Sequence, residues 1–192
     1  MKKVLLMLVL MLICLRQADA CVGKTLYIGL VDSAEGQVLS EILSTMVNER
    51  TGTTVKTRYY KNTRDLYDAV SAKQVDMLIE NTTTALQIID KPADSDLQRT
   101  YETVKSMYEK NKGLVWFKPF GFLKGGGGPG HSYTAPVLKV EVLNNFPALP
   151  RVVGKLAGTI SDETYARLIK SVESGEKAKK VARDFLKSRK LI

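Results

Sequence analysis

Residues 25–81 read TLYIGLVDSAEGQVLSEILSTMVNERTGTTVKTRYYKNTRDLYDAVSAKQVDMLIEN. The opening TLYIGLV (25–31) is a short apolar, β-rich run and predicts a buried strand. Asp32 and Ser33 follow as helix-cap residues. GQVLSEILSTMVNER (36–50) then sets Val38, Leu39, Ile42, Leu43, Met46 and Val47 at helical spacing. Gly52 closes that helix, because glycine takes the left-handed backbone that a helix end requires. TTVKTRYY (53–60) is β-branched and aromatic, hence a second strand. Asn62 caps a helix over 62–74 whose buried stripe is Leu66, Ala69 and Val70. VDMLIEN (75–81) is the third strand. Strands alternating with helices predict an α/β fold, a mainly parallel sheet flanked by helices with right-handed crossovers.

Downstream, TTTALQIID (82–90) is a short helix, and DLQRTYETVKSMYEKN (96–111) a longer one with Leu97, Tyr101, Val104 and Tyr108 on one face. GLVWFKPFGF (113–122) reads as one long strand. The run GGGGPG (125–130) cannot form the interior of a strand or helix and reads as a flexible connection. SYTAPVLKVEV (132–142) resumes extended character. NNFPALPRVVGKL, SDETYARLIKSVESG and EKAKKVARDFLKSRKLI read as helices, with Ser161 or Asp162 capping the second and Gly175 separating the last two.

Upstream, Lys2 and Lys3 precede the apolar run VLLMLVLMLICL (4–15), and Ala18-Asp19-Ala20 supplies a small-x-small cleavage triplet. That order predicts a secretory signal peptide over 1–20 and a periplasmic or otherwise extracytoplasmic location. The run is short of the roughly 20 residues that span a bilayer. Cys21 follows the triplet, so lipidation stays open beside simple cleavage. The expected organisation is 1–20 signal, 21–124 first part of one lobe, 125–130 linker, and 131–192 its return strand and C-terminal helices.

The net charge of +9 falls to about +7 without residues 1–20. The basic residues crowd into EKAKKVARDFLKSRK, which reads as the solvated face of a helix, so no nucleic acid partner is expected. Cysteines are Cys14 and Cys21 only, and loss of the signal leaves none to pair with Cys21. The one histidine, His131, stands beside the glycine run. A metal site or a Ser-His-Asp triad is therefore not expected, nor a cofactor, since neither G-x-G-x-x-G nor a P-loop occurs. No nucleophile–base pair stands out, and no enzyme is expected.

In open α/β sheets ligands sit beyond the carboxyl ends of the strands. Those ends are Val31-Asp32-Ser33, Tyr59-Tyr60-Lys61-Asn62 and Ile79-Glu80-Asn81-Thr82. The candidate ligand-binding residues are Ser33, Glu35, Gln37, Asn62, Glu80, Asn81 and Thr82. Ser33, Asn62 and Thr82 could equally serve as helix caps, and Glu80 as a solvated strand-end carboxylate or an attractor for a cation.

The chain resembles the substrate-binding proteins of ABC importers for glycine betaine, choline and related quaternary ammonium compounds. The resemblance is carried by TLYIGLVDSAEGQVLSEILSTMVNERTG, NTRDLYDAVSAKQVDMLIENTTTA, LVWFKPFGF and the stretch from APVLKVEV to the closing ARDFLKSRKLI. It implies a type II periplasmic-binding fold, a small solute and an ABC permease as partners, and membrane contact only through that permease or a lipidated Cys21. It also implies a second lobe between Phe122 and about Tyr133, where this chain has only LKGGGGPGHS. The family's E-Y-T-G-T stands here as Glu80-Asn81-Thr82-Thr83-Thr84, with Asn81 at the tyrosine position and Thr83 at the glycine. A quaternary ammonium is held by aromatic faces, for which Tyr59 and Tyr60 are the nearby substitutes, although both residues also suit plain strand packing. The rival expectation is a lobe that binds no ligand but docks on a permease or pairs with itself, a homodimer then rebuilding a two-lobed cleft.

Overall fold

A computed structural model describes residues 24–124 and 131–192. The signal peptide expected at 1–20, Cys21 and the linker 125–130 lie outside the described residues. Strand β1 (Thr25–Val31) leads into helix α1 (Ala34–Thr51), strand β2 (Thr54–Tyr60), helix α2 (Thr63–Ser71) and strand β3 (Met77–Asn81). Ser33 caps α1 by accepting from the Gly36 N–H, and Gly52 ends it at φ 71°. Both are the residues that the local pattern predicts.

The strand order is β2-β1-β3, continued by β6 (Ser132–Lys139) and β4 (Leu114–Trp116). β1 lies parallel to both β2 and β3. The chain steps one way from β1 to β2 and back past β1 to β3. Right-handed crossovers then put α1 and α2 on opposite faces of the sheet. The packing agrees. α1 gives Leu39, Ile42, Leu43 and Met46 to one core with Leu26, Ile28 and Leu30 of β1. α2 gives Leu66, Ala69 and Val70 to a second core with Val75 and Leu78. Gly29 permits the close approach of α2: a Cβ there would lie 2.7 Å from Leu66 Cδ1.

Helices α3 (Thr82–Ile88) and α4 (Leu97–Lys112) complete the second layer. Strand β4 (Leu114–Trp116) and the short β5 (Leu123–Lys124) follow, then β6 (Ser132–Lys139). β6 is antiparallel to β3, β4 and β5, so it alone among the described strands runs against the others. The sheet is mixed, with most strands running one way and helices on both faces.

Of the expected long strand at 113–122 only β4 forms, and β5 begins just past its end. Pro119 has no N–H for a ladder, and Gly121 turns the backbone at φ 123°. The Phe117 and Phe120 N–H groups still bond Pro136 and Thr134 carbonyls of β6, at 2.9 and 3.0 Å. The segment's other edge accepts from Gly158 and Ile160. The extended run expected to reach Val142 stops at Lys139, because the ladder with β4 ends at the Leu114–Lys139 pair. Val140–Asn145 is helix α5. The single helix expected over 144–156 is α6 (Leu149–Val153) with a 3-10 turn at Gly154–Leu156. Helices α7 (Asp162–Glu173) and α8 (Ala178–Ser188) close the first core through Leu168, Val181, Phe185 and Leu186. Among the described residues no helix is long and apolar enough to cross a membrane.

Candidate functional site

β1 and β3 point their carboxyl ends to one edge of the sheet, and a cavity of about 290 Å3 opens there. Its polar lining comes from Ser33 and Glu35 at the start of α1, Glu80 and Asn81 at the end of β3, Lys124 of β5 and Thr134 of β6. Thr63 and Thr84, each near the start of a helix, add two more hydroxyls. Leu30, Ile79 and Leu66 form its apolar floor.

Glu80 is 5 % exposed. This overturns the solvated-carboxylate alternative. The strand's alternation turns Glu80 inward, where its Oε1 accepts from the Asn81 N–H (2.7 Å) and its Oε2 from the Tyr67 hydroxyl (3.1 Å). Burial pushes its carboxyl up to about 7, against the lowering pull of the Asn81 N–H, the Tyr67 hydroxyl and the Lys124 ammonium; Glu35 adds repulsion. Tyr67 and Tyr108 share a 2.8 Å hydroxyl contact, and burial holds both phenols well above their ordinary range. Lys124 Nζ lies 2.6 Å from Glu35 Oε2, so Glu35 reaches the cavity already matched by a cation. Tyr165 stacks on Phe122 at 3.9 Å, and burial, then the Glu35 charge, raises its phenol. The Thr134 hydroxyl is buried and has no hydrogen-bond partner among the described residues.

The structure brings four of the seven candidates, Ser33, Glu35, Glu80 and Asn81, to this cavity. Ser33 and Asn81 also cap α1 and α3. Gln37 instead donates to Asp32 Oδ1 at 3.1 Å. Asn62 caps α2 and bonds Asp65. Thr82 is fully buried and is not the cap of α3; its hydroxyl accepts from the Tyr133 N–H at 3.2 Å and ties β6 to the end of β3. Neither Tyr59 nor Tyr60 lines the cavity. Tyr59 borders a different hollow between α1, β2 and α8, and Tyr60 packs on the second core. That hollow, about 520 Å3, and another of about 710 Å3 beside α2, α4 and α5 are larger. Neither holds a carboxylate as buried as Glu80, and both lie away from the carboxyl ends of β1 and β3. Sequence reasoning missed Lys124, Thr134 and Tyr67. Lys124 offered a weak signal, a lone charge at the mouth of the glycine run.

The pattern of the family described as the substrate binding domain of ABC-type glycine betaine transport systems matches residues 24–125. Among solved structures, a glycine betaine/carnitine/choline ABC transporter protein superposes with a TM-score of 0.78 at 13% identity, covering 88% of this chain and 98% of that one. Apo YehZ from Escherichia coli gives 0.75 at 15% identity, covering 88% and 100%. Lactococcal OpuAC, in its closed conformation complexed with glycine betaine, gives 0.52 at 8% identity, covering 87% and 96%. At these identities the likeness is one of fold, the periplasmic-binding kind. No curated protein matches the chain by sequence.

Proposed function

The chain belongs to the family of substrate-binding domains of ABC-type glycine betaine transport systems, and from that membership we propose that it binds a small quaternary ammonium solute outside the cytoplasm and hands it to an ABC permease for import. The observation that carries the reading is the buried Glu80 carboxyl, open to a cavity at the sheet edge where α/β folds bind ligands. Ionised, Glu80 attracts a cationic head, since a buried charge is stabilised by a paired charge. The Thr134 hydroxyl, without a hydrogen-bond partner among the described residues, and the Asn81 and Ser33 side chains offer it polar neighbours. Export rests on the signal-like segment 1–20, and the reading takes 125–130 as standing in for the second lobe that the family resemblance implies.

Thermal melting of the purified protein tests the reading. Glycine betaine, choline, carnitine, proline betaine and ectoine are each added at millimolar concentration. Ligand at 100 times its dissociation constant adds about 2.7 kcal/mol of stability. A clear upward shift with a quaternary ammonium compound is expected. A flat panel from folded protein would sink the reading. It would favour instead a lobe that docks on a permease or on itself, consistent with Glu35 being matched by Lys124 and with Ser33 and Asn81 already engaged as caps.

A further inference from the structure

Three polar contacts run in series behind the cavity. Glu80 Oε2 lies 3.1 Å from Tyr67 Oη, Tyr67 Oη 2.8 Å from Tyr108 Oη, and Tyr108 Oη 3.3 Å from the Ala85 carbonyl oxygen. Each contact needs one proton to be a hydrogen bond. The two phenols provide two, because burial raises both above the ordinary tyrosine value and each keeps its proton near neutral pH. The carbonyl provides none. With Glu80 ionised, Tyr67 donates to Glu80, and Tyr108 can then donate to Tyr67 or to Ala85 but not to both. A proton on Glu80 Oε2 completes the series: Glu80 donates to Tyr67, Tyr67 to Tyr108, and Tyr108 to Ala85. Glu80 Oε1 accepts from the Asn81 N–H in either state.

The charged groups around Glu80 fit the same reading. α1 presents Glu35 and β5 presents Lys124, and these two match each other at 2.6 Å. α2 and α4 present the two phenols, with the Lys112 ammonium 5.9 Å from the centre of each ring. β6 presents the uncharged Thr134. A neutral Glu80 therefore leaves the lining of the cavity without net charge, and its ionisation leaves one negative charge there.

We infer that Glu80 carries a proton in the ligand-free protein and releases it to solvent when a cation enters the cavity, so that one cation is exchanged for one proton. The exchange rests on the cation-binding reading above; the resting proton on Glu80 does not. Release lets Tyr67 turn its hydroxyl toward the new carboxylate, so the phenol pair follows the change in charge. Affinity for a cation falls about tenfold for each pH unit below the Glu80 midpoint, the linkage slope of one exchanged proton. Solute is then held at neutral pH and let go in acid.

Two measurements on the whole protein separate the parts. In the first, carbon NMR of isotope-labelled glutamate carboxyls is followed against pH without ligand. One glutamate, absent in Glu80→Gln, is expected to titrate near neutrality. Tyr108→Phe keeps the ring but removes the contact that competes for a proton, so the Glu80 midpoint is expected to fall. A carboxyl raised by burial alone would keep its midpoint or rise. In the second, choline and tetramethylammonium binding is measured calorimetrically in buffers of different ionisation enthalpy, one pH unit below that midpoint. Close to one proton released per cation is expected. An ordinary glutamate midpoint for Glu80, or binding without proton release, overturns the inference while the functional reading stands. Absence of any cation binding overturns the exchange and the functional reading together, and a raised Glu80 midpoint would then survive alone.

Discussion

Glu80 shows how one buried residue couples stability to pH. Its carboxyl is raised from 4.5 to about 7 in the folded chain, chiefly by burial. Below the lower value both folded and unfolded chains hold the proton. As pH rises from there, the unfolded chain loses its proton first, and folding loses up to about 3 kcal/mol by the time the folded carboxyl ionises. Urea unfolding at pH 5 and pH 8 is expected to show Glu80→Gln with a flatter pH dependence than the parent chain. Surface carboxylates act in the opposite sense: Glu141 beside Lys73 and Glu176 beside Lys180 are held below their usual range, so their contributions are lost only as pH falls through acid values. The two windows do not overlap. Asn81 does two tasks at once. Its side chain accepts the Thr84 N–H at 2.9 Å and also borders the cavity. Asn81→Ala is expected to cost about 1 kcal/mol in denaturant unfolding. Asn81→Asp keeps a capping oxygen, so stability returns, and any ligand shift still missing from its melting curve reports contact with the solute.

At the scale of elements, the stretch between β4 and β5 is held by its turn more than by its strands. Gly121 sits at φ 123°, and a Cβ there would lie 2.8 Å from Gly158 Cα and 2.9 Å from the Ile160 carbonyl oxygen. Both neighbours are backbone and cannot swing aside. Gly121→Ala is expected to cost about 2 kcal/mol or more in equilibrium unfolding, through strain and displacement of the 158–160 loop. Lys124 follows three residues later, so the variant should also weaken the Lys124–Glu35 contact. Helix α8 is held by its apolar stripe. Leu186 is fully buried in the core that α1 builds on β1. Leu186→Ala is expected to cost 2–5 kcal/mol in the same assay. The basic residues of α8 face outward, Lys180 bridging Glu176 and Asp184 while Arg183 meets Glu49. The solvated-face reading of that charge run agrees with this arrangement.

For the whole molecule, the sheet order predicts where opening is hardest. β1 and β3 have a strand on each side, and helices cover both faces of the sheet. Their amides should exchange with deuterium slowest, close to the global unfolding rate. β2 stands at one edge and β5 is two residues long, so both should exchange sooner. Fast exchange throughout β3 would contradict this order. The fold from β1 to α4 was legible because each element carries its own local signal. Examples are the apolar run of β1, the helical spacing of Val38 to Val47, and the Ser33, Asn62 and Gly52 caps. The 113–122 strand was misread because aromatic content resembles a strand, whereas Pro119 and Gly121 forbid a continuous ladder. The lining of the candidate cavity was legible where it coincides with strand ends, at Ser33, Glu35, Glu80 and Asn81.

Local patterns in the chain carry the alternation of strands and helices, the caps, the sheet edge where the candidate cavity opens and the family resemblance. All of these are written in neighbouring residues or in their order. Long-range packing alone buries Glu80 against Tyr67, brings Lys124 back to Glu35 across 89 residues and adds Thr134 of the reversed strand β6 to the cavity. Burial, charge pairing and proton sharing depend on which distant residues meet. That follows from the crossing of β6 between β3 and β4, for which no local pattern in the chain is a signal.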